Sequence, residues 1–240
     1  MKKLLLLTSS AIITLNAHFL TFIPSSDNIT NKNQSKIQFD ISFIHPFEQT
    51  GMTLEKPEVF VNSKENKLSL TQAKKFDHKA WKSTYEVKRP GVNKFFVQPQ
   101  PYFEPAEEKF ISHVPKVIIS SFGLEDGWDE PVGLKYEIIP MTKPFALYSG
   151  NLFQGKVLHD GKPAANTEVE VELYNEFGLK APSDAHITQV VNTDDNGVFS
   201  FTMNHKGWWG FAALIEEGEL EHKGKKYPVE NGALMWIKAY

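Results

Sequence analysis

The sequence predicts an all-β protein of two β-sandwich domains, and three observations carry that reading. Apolar and polar residues alternate with a period of two wherever periodicity is clear. Prolines and glycines, among them Pro57, Pro90, Gly91, Pro99, Pro101 and Pro105, fall between the alternating runs and punctuate turns. Short strands separated by tight turns then recur through the last part of the chain, which is the texture of a small sandwich.

In order along the 240 residues, the chain opens with Lys2 and Lys3, continues through a mostly apolar run from Leu4 to Leu15, and reaches the small residue Ala17. Basic head, apolar middle and small-residue exit read as a secretory signal. The run is too short to span a membrane, which takes about 20 apolar residues. A cut after Ala11 would satisfy the small-x-small pattern better but would leave a minimal apolar core, so cleavage after Ala17 is favoured and residues 1–17 are set aside as the signal peptide.

In KIQFDISFIHPF, residues 36–47, Ile37, Phe39, Ile41 and Phe43 form one apolar strand face, and Pro46 stops the strand. WKSTYEVK (81–88), NKFFVQP (93–99) and PKVIISSF (115–122) read as further strands, and only LSLTQAKKF, residues 68–76, has helical spacing. The stretch EIIPMTKPFALYSG, residues 137–150, changes from strand to linker and back, which places a boundary there and gives domains 18–146 and 147–240. In GKVLHDGKPAANTEVEVELYN, residues 155–175, a strand, a turn at His159-Asp160-Gly161 and a second strand follow, with Val169, Val171 and Leu173 on one face. HITQVVNTDDNGVFSFTM, residues 186–203, adds two strands around the hairpin signal Asp195-Asn196-Gly197.

Composition removes several function classes. There is no cysteine, which excludes disulfides, a lipoprotein anchor, thiolate metal sites and cysteine nucleophiles. Net charge is −3 and Arg89 is the only arginine, so the guanidinium forks suited to phosphate and base recognition are missing and nucleic acid is not an expected partner. No G-x-S-x-G, H-E-x-x-H or P-loop pattern supports hydrolytic catalysis, and the expectation is a non-enzymatic protein. The acidic run from Glu125 to Glu130 lacks the spacing of an EF-hand and reads as a solvated turn.

Histidine placement is the informative feature. Cleavage after Ala17 makes His18 the N-terminus, with a free α-amine of pKa about 8 beside an imidazole, and the two nitrogens close a chelate ring around a transition metal. Nickel or copper with tetragonal preference takes four or more donors. His45 continues the Ile37–Phe43 face at a strand end, and His113 ends an alternation with Ile111 on its face and Pro115 following. His186 opens a strand of the second domain. Met52, Trp208 and Trp209 are accessory candidates; because strand neighbours face opposite ways, at most one tryptophan lines a given cavity. His78, His159, His205 and His222 sit in polar contexts and read as solvated.

Several ordered blocks carry a family resemblance: HPFE at 45–48, SHVPKVII at 112–119, GWDEPVGLKYEIIP at 127–140, PFALYSGNLFQGKVL at 144–158, HITQVV at 186–191 and GWWGFAAL at 207–214. Together they resemble the periplasmic component of cobalt and nickel ABC-type transport systems, over nearly the whole mature chain. The part from 155 on looks like a transthyretin-like, carboxypeptidase-regulatory (Ig-like) sandwich. The resemblance implies a periplasmic protein, secreted through its signal peptide and not inserted in the membrane afterwards, that binds Ni²⁺ or Co²⁺ and hands it to an inner-membrane metal permease of the ABC or ECF type. It raises His18 and His45 first among the ligand candidates, then His113 and His186, and it makes His186 either a ligand or a residue that orients one. Relatives of this kind tend to carry a Met- or His-enriched stretch after HPFE, where this chain offers only Met52. Copper chemistry at an N-terminal histidine chelate, and a purely structural secreted sandwich, are the competing expectations.

Overall fold

The computed structural model describes residues 18–240, and the expected signal peptide lies outside the described residues. Nineteen strands follow one another: β1 (Phe19–Pro24), β2 (Asn28–Ile29), β3 (Lys36–His45), β4 (Thr50–Met52), β5 (Glu58–Val61), β6 (Ser63–Leu68), β7 (Leu70–Lys75), β8 (His78–Glu86), β9 (Gly91–Gln98), β10 (Tyr102–Glu104), β11 (Lys109–Ser121), β12 (Tyr136–Pro140), β13 (Leu152–His159), β14 (Lys162–Pro163), β15 (Glu168–Leu173), β16 (Gln189–Asn192), β17 (Val198–Thr202), β18 (Gly207–His222) and β19 (Lys225–Ala239). Two short 3₁₀ turns, Lys32–Gln34 and Asp184–His186, are the helical elements among the described residues. The all-β expectation holds.

The strands form three sheets. One outer sheet runs β1-β3-β8-β7 with β4 beside β3; the central one runs β16-β15-β18-β19-β11-β9-β5-β6 with β2 and β10 attached to β11; the other outer sheet runs β12-β13-β14 with β17 beside β13. The central sheet belongs to both cores, because alternate residues of one strand face opposite layers. Trp208 and Ala212 on β18, with Leu234 and Trp236 on β19, pack with Phe22, Phe39 and Phe43 of the first outer sheet. Their neighbours Trp209, Phe211, Ala213, Ala233, Met235 and Ile237 pack with Ile138, Phe153, Val157 and Phe199 of the other. The Trp208-Trp209 pair is thereby split between two cores, each tryptophan contributing about 1.5–3 kcal/mol or more through burial.

Long-range pairing ties the first half of the chain to the last. The front of β11 pairs in parallel with β19, from Phe110 opposite Val229 to Lys116 opposite Met235, and its back pairs antiparallel with β9. Lys116, fully buried, meets the equally buried Glu137 of β12 at 2.6 Å, and the Glu137 carboxylate also accepts the backbone N–H groups of Val132, Gly133 and Leu134. Such a pair offsets its desolvation only because every remaining lone pair is used.

Two local expectations are corrected. The helically spaced stretch 68–76 contains β7, which ladders against β8 from Leu70 opposite Ser83 to Lys75 opposite His78, so cross-strand pairing overrides a weak period. The strands flanking Asp195-Asn196-Gly197 do not form a hairpin: β16 pairs with β15 in the central sheet, whereas β17 pairs with β13 in the outer one. The turn is still built as its residues demand, with Gly197 at φ 74°, where an added Cβ would stand 2.7 Å from the Val157 carbonyl oxygen.

Candidate metal centre

Three of the four sequence-predicted histidines come together where the first outer sheet meets the central one. β1 and β3 pair with Phe19 opposite Ile44, so His18 and His45 are the next residue on each strand, and their ring centroids are 4.6 Å apart. Phe43, two residues before His45, stacks on His18 at 5.7 Å. The Phe19 that anchors this end passes over Gly210, where a Cβ would stand 2.9 Å from both the Phe19 and Trp236 rings, so only glycine permits the approach.

His18 is largely buried, and burial first, then the nearby His45 and His113, pushes its imidazole down to about 3. It is therefore neutral, and its Nε2 stands 3.2 Å from a Glu104 carboxylate oxygen. Its other ring nitrogen, Nδ1, lies 4.0 Å from a Glu107 carboxylate oxygen, and Nδ1 is the nitrogen within chelating reach of the residue's own backbone nitrogen.

His113 enters from β11. It is 2% exposed and lies in register with Gly232 of β19, where a Cβ would come within 2.3 Å of the imidazole Cδ2 and 2.9 Å of Nε2. The ring thus lies along bare glycine backbone with its Cδ2–Nε2 edge toward β19 and its Nδ1 edge turned away. Nε2 stands 3.1 Å from Glu230, whereas the buried Nδ1 has no hydrogen-bond partner. Burial alone would raise Glu230, but hydrogen bonds and charge from His113 and Lys109 hold it down to about 2. Lys109 itself bridges Glu107 and Glu230, which keep it protonated against the cost of burial. His113 is in this way held through Nε2 by Glu230, the arrangement that orients an imidazole to ligate through Nδ1.

The turn that carries His45 is clamped from β15. Glu172, 1% exposed, accepts the Phe47 backbone N–H at 2.8 Å and the Thr188 hydroxyl at 3.1 Å. Asn175 donates its side-chain amide to the Phe47 carbonyl and its backbone N–H to the Pro46 carbonyl, while the Gln49 amide donates to the Asn175 carbonyl. Burial raises Glu172 to about 8 and its neighbour Glu170 to about 7.

The other candidates lie elsewhere. His186 does not open a strand: it closes the Asp184–His186 turn, with Nδ1 2.9 Å from the Ser183 hydroxyl, three residues before β16 begins. Ser183 and Asp184 favour that turn over extension. His186 lines a separate cavity of about 310 Å³ with His205 and Trp209. Met52 sits opposite Phe43 on β4 and packs against the first core. His222 is stacked on Phe103 at 4.1 Å at the end of β18, and His159 lies 2.9 Å from Glu217, so neither is the solvated loop residue its context suggested. Sequence reasoning missed Glu104, Glu107, Lys109, Glu172, Asn175, Glu230 and Gly232, none of which carries a local signal; only their partners across the fold give them a role. Among the described residues, no group of three or more His, Asp or Glu side chains stands in position to hold one ion.

A family model described as "Domain of unknown function (DUF4198)" matches residues 15–217. No curated protein matches. Among solved structures, the D0-D1 domain of intimin is 13% identical over 93% of this chain and 100% of that one, with a TM-score of 0.25. The adhesin InvE of Yersinia pseudotuberculosis is 10% identical over 92% of this chain and 59% of that one, with a TM-score of 0.28. Salmonella alpha-2-macroglobulin reacted with methylamine is 10% identical over 91% of this chain and 15% of that one, with a TM-score of 0.26.

Proposed function

The chain belongs to the DUF4198 family, and from the site it builds we propose that it is a secreted periplasmic carrier, not an enzyme, that captures Ni²⁺ or Co²⁺ and delivers it to an inner-membrane permease. The observation that carries this reading is the buried, unpartnered Nδ1 of His113, on a ring whose Nε2 is fixed by Glu230 beside the paired rings of His18 and His45. An interior imidazole nitrogen without a partner costs about 1–3 kcal/mol, and a metal ion is the partner that the surrounding nitrogen and carboxylate groups suit. Once residues 1–17 are removed, the His18 amine and imidazole would form the chelate, and His45 and His113 would have to move toward it to complete the nitrogen donors. Met52, Trp208, Trp209 and His186 have no part in this arrangement.

Calorimetric titration of Ni²⁺, Co²⁺ and Cu²⁺ into protein beginning at His18, and into the same protein with one extra residue ahead of it, tests the reading. One-to-one binding that the extra residue abolishes supports the N-terminal chelate; equal binding by both forms, or by neither, overturns it. Copper binds most tightly in the divalent series at nitrogen sites, so copper affinity alone does not establish redox chemistry. Adjacent His18 and His45 rings also suit a copper enzyme, and oxygen consumption with copper and a reductant would mark that second reading.

A further inference from the structure

His186 and Trp209, which the metal centre leaves unused, meet in the cavity of about 310 Å³ beside the loop that joins β15 to β16. Its apolar walls are Phe47, Leu173, Leu179, Ile187 and Trp209, the last reaching it from the second core. Local bonds build the cavity in advance of any ligand. The Asn175 side chain accepts the Leu179 N–H at 2.7 Å and donates to the Leu179 carbonyl at 2.8 Å, which folds the loop back as a wall, and the Trp209 indole N–H donates to the His205 carbonyl at 2.9 Å. Lys180, His186 and His205 are exposed lining residues, and no acidic side chain is among the described residues that line the cavity. The Lys180 ammonium makes no ion pair among the described residues. The Ser183 hydroxyl, 2.9 Å away, engages Nδ1 of His186, so a proton on Nε2 remains available to an acceptor. A small hydrated anion gains nothing from the apolar walls, since carbon cannot replace the hydrogen bonds its water shell gives up, and a wholly apolar ligand leaves the donors at the mouth unused. A cavity of about 150 Å³ already holds one benzene ring, so the space here admits a bicyclic one.

We propose that this cavity binds a small carboxylate built on an aromatic ring system, with the ring against Phe47, Leu173 and Trp209 and the carboxylate on Lys180 and His186. Mostly apolar walls with a few convergent polar groups are the usual make-up of a small-molecule site. The walls supply burial of the ring, and the cation and imidazole at the mouth select the charge and fix which end points out. The site stands apart from the three clustered histidines and does not depend on the carrier reading. The two share only the turn of Phe47, whose N–H is bonded to Glu172 two residues after His45.

Calorimetric titration of 2-naphthoate into protein beginning at His18, with EDTA present to remove metal, tests the assignment. As controls, 2-naphthylmethanol supplies the ring without the charge and acetate the charge without the ring. 2-Naphthoate should bind one per chain and about tenfold or more tightly than either control, the scale of one hydrogen bond to a charged group. Lys180→Met, at an exposed position, should erase the advantage over 2-naphthylmethanol and leave binding of the alcohol unchanged. Gln189→Trp, at an exposed lining position on β16, should fill the cavity and abolish binding of both. Unfolding midpoints matching the native protein establish that both variants are folded. Equal binding of 2-naphthoate and the alcohol, a preference that survives Lys180→Met, or 2-naphthoate binding untouched by Gln189→Trp overturns the assignment, as does the absence of saturable binding. Each of these results leaves the carrier reading standing, because nickel is titrated separately.

Discussion

Replacing Glu172 by glutamine should flatten the decline of stability with pH. The carboxyl is 1% exposed, and burial moves it from the ordinary 4.5 up to about 8, with Glu48 and Glu170 adding to the rise and the bonds from Phe47 N–H and the Thr188 hydroxyl opposing it. Its folded pKa thus lies above its unfolded one, so the folded state holds a proton that the unfolded chain has released between pH 4.5 and about 8. The stabilisation is complete below the lower value and is lost as pH rises through the upper one. At about 1.4 kcal/mol per pH unit, this window is worth on the order of 5 kcal/mol at most. Glutamine mimics the protonated acid: its carbonyl accepts from Phe47 N–H and its amide donates to the Thr188 hydroxyl oxygen. Urea unfolding at pH 5, 7 and 9 should show the native protein losing about 2–5 kcal/mol more than Glu172→Gln between the extremes. His18, whose pKa is depressed to about 3, contributes equally to both proteins and cancels in the difference. Parallel stability profiles would refute the argument, because Glu172 would then ionise in the folded state without cost and could not be the buried clamp on the His45 turn.

Three further outcomes are expected. Gly232→Ala places a Cβ where the His113 ring now lies, so the imidazole must move and nickel affinity should fall at least tenfold, a figure typical of losing ligand orientation; calorimetry at matched pH reads it. Nickel affinity itself should rise about tenfold per pH unit up to about pH 8, because the His18 amine must shed its proton while the imidazole is already neutral; affinity independent of pH from 6 to 8 would remove the amine from the site. Lys116→Met should cost about 3–5 kcal/mol in denaturant unfolding by leaving the buried Glu137 without its cation, and adding Glu137→Gln should recover part of that loss.

How much of this could be read from the chain alone depends on where the information resides. A period of two is local, and Ile37, Phe39, Ile41 and Phe43 lie in the first core as the alternation requires, with His45 next along that face. His113 was legible for the same reason, through Ile111 and Pro115. Pairing between distant strands is not local. Nothing near Gly232 announces that parallel pairing of β11 with β19 sets His113 against it, or that Glu230, 117 positions from His113, fixes its ring. The helical spacing of 68–76 and the hairpin signal at 195–197 misled for the complementary reason: each is a short-range preference, and each yielded to which sheet had an edge free to pair. The same logic explains why the ligand candidates were visible while their supports were not. A ligand is chosen by side-chain chemistry, which the sequence displays; a support is chosen by position relative to that ligand, which only folding supplies. Glu104, Glu172, Glu230 and Asn175 are ordinary surface-type residues until β1, β10, β11, β15 and β19 converge, and that convergence is what gathers three separately placed histidines into one neighbourhood.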